Sequence, residues 1–125
     1  MSYLIDTDIL IEISKGNNKS VEFLDMLDDI KISVISAMEL IVGARNKKEI
    51  TTIEEFLSQY ERLHITDEIS VKALELIKQH SLTDGLSIPD AFIASTAINK
   101  NLILTTKNIK HFKAIKEIKL NEPDY

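Results

Sequence analysis

Three acidic residues stand where an α/β fold can gather them: Asp6 ends the run SYLID, Glu39 lies in SAMEL and Asp90 in IPDAFIA. Each follows a short apolar run or falls in the first turn or so of an apolar helix, positions that a parallel sheet collects at one edge. Three carboxylates in a small crevice cannot all stay ionised uncompensated, because like charges in low dielectric raise one another's pKa. A divalent cation resolves the repulsion. Oxygen ligands without His or Cys select Mg²⁺ or Mn²⁺ over zinc, and Mg²⁺ usually keeps several waters while binding one or two carboxylates plus a substrate phosphate. One such ion, or two about 3.5–4 Å apart, activates a water and stabilises the leaving oxygen of a phosphodiester. The chemistry implied is metal-assisted hydrolysis.

The elements that must position these residues read as an α/β alternation. Tyr3 to Ile5 is a short β-type run ending at Asp6, ILIEIS a short helix closed by KGNNKS, and VEFLDMLD a helical turn or two before the strand KISVI. Ser36 suits an N-cap with Glu39 three residues on, so Glu39 taken alone reads equally well as a capping-box residue. A helix over KEITTIEEFLSQYER then gives way to a brief strand, LHI, and Thr66 caps DEISVKALELIKQHS. Pro89 suits a first helical turn and places Asp90 inside it. The strand LILTT, a short helix around NIKHFKAI and a strand near EIKL complete the chain. This order predicts a mostly parallel sheet covered by helices on both faces, with ligands outside the carboxyl ends of the strands.

Composition bounds the alternatives. One domain over residues 1–125 fits the length, and 44% hydrophobic with 28% charged residues is a globular composition. The absence of cysteine excludes disulfides, thiolate zinc sites and cysteine nucleophiles. MSYLIDTDILIEI carries acids within its apolar run and no basic leader, which points to a cytoplasmic protein with no membrane anchor. A net charge of −5 argues against nucleic-acid binding through a broad basic surface, though not against a nuclease whose metal meets the phosphate. From Lys100 onward basic residues dominate; Lys107 and Lys110, with Arg45, are candidate contacts to RNA phosphate, and solvated surface is their default. His64, His80 and His111 show no spacing that suggests a metal or nucleophile pair.

LIDTDIL, ISAMELIVGA, IPDAFIASTAI and LTTKNIKHF, in this order and spacing, resemble the four signature segments of the PIN domain, most closely the VapC-type toxins of prokaryotic toxin–antitoxin pairs. Each segment is weak singly; the ordered set spans nearly the whole chain. The resemblance implies a three-layer α/β/α sandwich and Mg²⁺- or Mn²⁺-dependent endoribonuclease action on structured RNA such as tRNA or rRNA. It maps the family's acidic residues to Asp6, Glu39 and Asp90, as metal ligands, and brings Thr106 and Asn108 into the catalytic set. Thr7 and Thr106 would orient ligand waters. Many relatives carry an acid in the fourth segment, where Asn108 and His111 stand here, so a second metal should bind more weakly. Asp8 offers partial compensation, although its first reading is the cap of a helix starting at Ile9. The resemblance also implies a small VapB-type antitoxin and a homodimer within the toxin–antitoxin complex, with apolar surface near residues 9 to 60 as the docking candidate. Two other readings stand beside it: a PIN-like RNA- or protein-binding module without catalysis, suggested by the missing fourth acid, and a receiver-like phosphorylation switch. The switch needs a phospho-accepting Asp after a central strand, and LHIT is followed only by Asp67 at a helix cap.

Overall fold

Five short strands, all parallel, lie in the order β3-β2-β1-β4-β5 in the computed structural model, which describes residues 1–125. They are β1 (Tyr3–Ile5), β2 (Ile30–Ser33), β3 (Glu61–Leu63), β4 (Ile103–Thr105) and β5 (Lys119–Asn121). Between them run α1 (Thr7–Ser14) and α2 (Asn18–Asp25), α3 (Val34–Val42) and α4 (Lys47–Leu57), α5 (Asp67–Asp84) and α6 (Ile88–Asn99), and α7 (Ile109–Phe112).

Handedness fixes where the helices go. The chain first steps β1 to β2 to β3 in one direction, then crosses back and continues through β4 to β5 in the other. Right-handed crossovers in opposite directions deposit their helices on opposite faces. The side chains follow this rule. Leu4 points into a core with Ala73, Leu76, Ile93, Leu104 and Phe112, whereas its neighbour Ile5 joins Ile9, Leu24, Ile32, Leu40 and Leu57 on the other face. Adjacent residues of one strand thus serve two cores, as the period of two requires. A fully buried Leu, Ile or Phe side chain contributes about 1.5–3 kcal/mol; the Ile5 core is built almost wholly of Leu and Ile, whereas the Leu4 core mixes them with alanines of α5 and α6 that let the helices approach closely. The three-layer α/β/α architecture expected from the sequence is the one observed.

Several boundaries differ from expectation. The strand written as KISVI stops at Ser33, and Ser33, not Ser36, caps α3: its hydroxyl accepts from the Ile35 N–H at 3.0 Å. Ser36 lies inside the helix and is fully buried. The helix read over KEITTIEEFLSQYER ends at Leu57, and Glu61–Leu63 pair with β2 instead. Asn17 starts α2 earlier than its apolar spacing suggested by accepting from the Ser20 N–H. Thr66 caps α5 as read, and Gly85 closes it in the left-handed region at φ 66°.

Candidate active site

The crevice opens where connections diverge. β1 leaves the sheet toward one face through α1, while its neighbour β4 leaves toward the other through α7, and the gap between such strands is where open α/β sheets bind ligands. Asp6 immediately follows β1 and Thr106 immediately follows β4. The Asp6 N–H donates to the Thr105 carbonyl at 2.9 Å, which holds the two strand ends together beneath the site.

Asp6 is 4% exposed and caps α1. One carboxylate oxygen accepts from the Thr7 N–H and the other from the Thr106 hydroxyl, both at 2.8 Å. Burial, with the charges of Asp8 and Asp90 adding to it, pushes its pKa up to about 7 against the hydrogen bonds from Thr106 and Thr7. Asp8 stands beside it and is raised too, chiefly by burial. Its oxygens accept from the Ile9 N–H at 2.8 Å, the Lys107 N–H at 3.0 Å and the Asn108 side-chain amide at 3.2 Å. Asp8 therefore joins the segment after β4 to the first turn of α1, while the capping position itself belongs to Asp6.

Glu39 reaches the site from α3 through Thr7. The Thr7 hydroxyl donates to Glu39 at 2.7 Å and stands 2.8 Å from the buried Ser36 hydroxyl. Since Thr7 has one proton, Ser36 is the donor in the second contact. Glu39 and Ser36 thus belong to one hydrogen-bonded relay rather than to a capping box. Asp90 lies in the first turn of α6, capped by Ser87, whose hydroxyl accepts from the Asp90 N–H at 3.3 Å.

His111, given no role from the sequence, places Nδ1 3.3 Å from an Asp90 oxygen. Nothing in the local sequence signals this pair, because it depends on α7 packing against α6. Asn108 makes no side-chain cap to α7; its amide is directed at Asp8, and its N–H donates to the Thr106 hydroxyl at 2.9 Å. Of the candidate phosphate contacts, Arg45 is engaged by Glu49 at 2.8 Å and Lys107 by Glu12 at 2.8 Å, whereas Lys110 forms no ion pair.

The donor set fits a hard divalent cation. It supplies carboxylate oxygens around Asp6, whose ionisation is held back by burial and then by Asp8 and Asp90, the situation a cation relieves. No three His, Asp or Glu side chains come close enough to chelate one ion directly, and one or two direct carboxylates with waters is the usual Mg²⁺ arrangement.

Two grooves meet at Glu39. One, of about 410 Å³, is lined by Ile35, Met38, Val42, Ile88 and Phe92 between α3 and α6. The other, about 320 Å³, runs past Ile11, Leu40, Gly43 and Ile53 between α1, α3 and α4. Exposed Met38, Val42 and Ile88 flank the first, and exposed apolar side chains continue onto α5 at Val71 and Leu74, beyond the 9–60 region that the sequence singled out. No helix is long and apolar enough to cross a membrane.

Comparison with known proteins shows the family and the fold. Ribonuclease VapC1 of Methanocaldococcus jannaschii is 36% identical over 119 residues, covering 94% of this chain and 83% of the relative. VapBC2 of Rickettsia felis, solved bound to a promoter DNA fragment, superposes with a TM-score of 0.84 at 30% identity over 99% of this chain and 100% of that one. A toxin–antitoxin complex from Klebsiella pneumoniae gives 0.82 at 30% identity over 98% of both chains. With the PIN domain profile matching residues 3–118, the chain belongs to the PIN domain family, and its relatives include the VapC ribonucleases.

Proposed function

We propose that this protein is a divalent-metal-dependent endoribonuclease that cuts structured RNA, tRNA or rRNA, and acts as the toxin of a toxin–antitoxin pair. The observation that carries the reading is Asp6: a carboxyl group buried at the strand-end crevice, with its pKa pushed up to about 7 by burial and by Asp8 and Asp90. A protein retains so unfavourable a group where a ligand stabilises its charged form. Asp6, Glu39 and Asp90 would hold Mg²⁺ or Mn²⁺, one or two of them directly and the rest through metal-bound water; the ion when bound supplies a nucleophilic water and stabilises charge on the phosphodiester. Thr106 orients Asp6, Thr7 orients Glu39, and Asn108 with Asp8 fixes the segment after β4. Lys110, whose ammonium forms no ion pair while Arg45 and Lys107 do, is the candidate left for a substrate phosphate.

The partner follows from the same surface. A small VapB-type antitoxin would lay an apolar helix into the groove between α1, α3 and α4 and direct a basic side chain at the carboxylates, so inhibitor and cation compete. The apolar face around Met38, Val42 and Ile88 is the candidate for a homodimer within that complex. A second reading, a binding module with weak or no catalysis, is favoured by the fourth segment, where Asn108 and His111 stand in place of an acid.

Purified protein incubated with total RNA and Mg²⁺, followed by sequencing of new RNA ends, distinguishes the two. New ends that vanish with chelator and in Asp90→Asn support the nuclease. RNA retention without new ends supports the binding module. Growth arrest on expression, relieved by the adjacent small protein, tests the toxin role separately.

A further inference from the structure

Lys107 sits between Thr106 and Asn108 in the segment after β4, and its side chain, although exposed, has two partners. Its ammonium meets Glu12 of α1 at 2.8 Å and lies 4.7 Å over the ring of Tyr125. The Tyr125 hydroxyl donates to the other Glu12 oxygen at 2.7 Å, and Phe23 of α2 meets the Tyr125 ring edge-on at 5.8 Å. Residues 122–125 thus run from the β5 edge back across to α1 and α2, anchored on the way by buried Pro123. The backbone of the same segment faces the carboxylates. The Lys107 N–H donates to Asp8, the Thr106 hydroxyl to Asp6, and the Thr106 N–H to the Asn121 carbonyl at 3.1 Å.

We propose that Tyr125, Glu12 and the Lys107 side chain form a clamp that positions residues 106–108 against Asp6 and Asp8, so that Lys107 serves the protein rather than an RNA phosphate. A lysine whose charge is matched by a carboxylate on one side and an aromatic face on another has a reduced field to offer a polyanion. Pulling it onto a phosphate would leave Glu12 with a tyrosine hydroxyl and no cation. The clamp reaches the reacting centre only through Thr106 and Asp8, which makes its members positioning residues. Its kinetic consequences rest on the ribonuclease reading; its structural consequence does not.

The structural arm follows backbone amide exchange by NMR in the metal-free full chain. Tyr125→Ala should accelerate exchange at Lys107 and Asn108 by about fivefold or more, the scale of one lost hydrogen bond, while amides of β1 and β2 stay unchanged. Tyr125→Phe, which keeps the ring under the ammonium, should fall between. No acceleration at 107 and 108, or an equal change throughout the sheet, overturns the clamp.

The binding arm measures RNA affinity against salt. Lys107→Met should leave the slope of log Kd against log salt unchanged, whereas a phosphate contact would lower it by about 0.7–0.9; that drop overturns the proposal. Kinetically, Tyr125→Ala and Lys107→Met should each reduce kcat with little effect on KM, and the double variant should be no worse than the more damaged single one. Fully additive losses, or losses confined to KM, overturn it. If the unaltered protein cuts no RNA, the proposed function fails, and the exchange result alone decides the clamp.

Discussion

Replacing Asp6 by Asn should make the metal-free protein more stable at pH 8, an unusual result for a substitution that removes a buried, hydrogen-bonded group. The interval from the ordinary aspartate value of 3.8 to about 7, at 1.36 kcal/mol per pH unit, sets a ceiling of about 4 kcal/mol. The sign follows from proton binding. Between these pH values the folded protein keeps a proton that the unfolded chain has released, so stability falls as pH rises through the window and levels off above about 7. Asparagine carries no such penalty. It does carry one acceptor oxygen where the carboxylate uses two, for the Thr7 N–H and the Thr106 hydroxyl, and re-partnering one of them costs about 1–2 kcal/mol. The expected gain is therefore about 2–3 kcal/mol at pH 8 and within about 1 kcal/mol of zero at pH 4.5. Urea unfolding of both proteins in chelator at the two pH values measures it. Asp8 is also raised and gives both proteins a similar trend, so the difference between them is the quantity to follow. Adding Mg²⁺ should reverse the order by stabilising the unaltered protein as binding to the native state requires. An Asn variant no more stable at pH 8, or one whose gain is independent of pH, would refute the account of Asp6.

Thr7→Val removes the hydroxyl between Ser36 and Glu39; it should cost about 1–2 kcal/mol in urea unfolding, because the buried Ser36 hydroxyl loses its partner, and calorimetry should show weaker Mg²⁺ binding. His111→Asp sets a carboxylate where the imidazole now meets Asp90, and should tighten Mg²⁺ binding by on the order of tenfold as ligand charge increases; unchanged affinity would remove residue 111 from the site. Gly85→Ala meets no steric obstacle but must adopt φ 66°, so a loss of about 1 kcal/mol in thermal or urea unfolding is expected from backbone strain alone.

What was legible in the sequence was whatever is encoded locally. Thr66, Pro89 and the apolar runs gave the order of elements, and the alternation gave the layers. β3 was displaced because Glu61, Arg62 and Leu63 favour helices. They are drawn into the sheet by pairing with β2 and by ion pairs from Lys31 to Glu61 and Arg62 to Glu54. The serine-to-glutamate spacing of Ser36 imitates a cap, but its hydroxyl meets Thr7, 29 residues away. The partnership of Lys107 with Glu12 and that of His111 with Asp90 join residues from separate helices or loops and leave no periodic trace. Asp6, Glu39 and Asp90 stand out in the sequence by type and placement, whereas the hydroxyl relay and the role of Asp8 as a tie emerge only from tertiary geometry.

The crevice is divided between the two ends of the chain. Asp6, Thr7 and Asp8 lie near the beginning, yet the hydroxyl that steadies Asp6 belongs to a residue 100 positions later, after the chain has crossed the sheet and reversed direction. A growing polypeptide that has displayed β1 through β3 carries two of the three proposed metal ligands, and neither Asp90 nor Thr106 to complete them. Such a chain lacks the complete proposed ligand set. The proposed set is complete only once β4 lies beside β1 and the Thr106 hydroxyl reaches Asp6, so the order in which the strands assemble is also the order in which the centre is built.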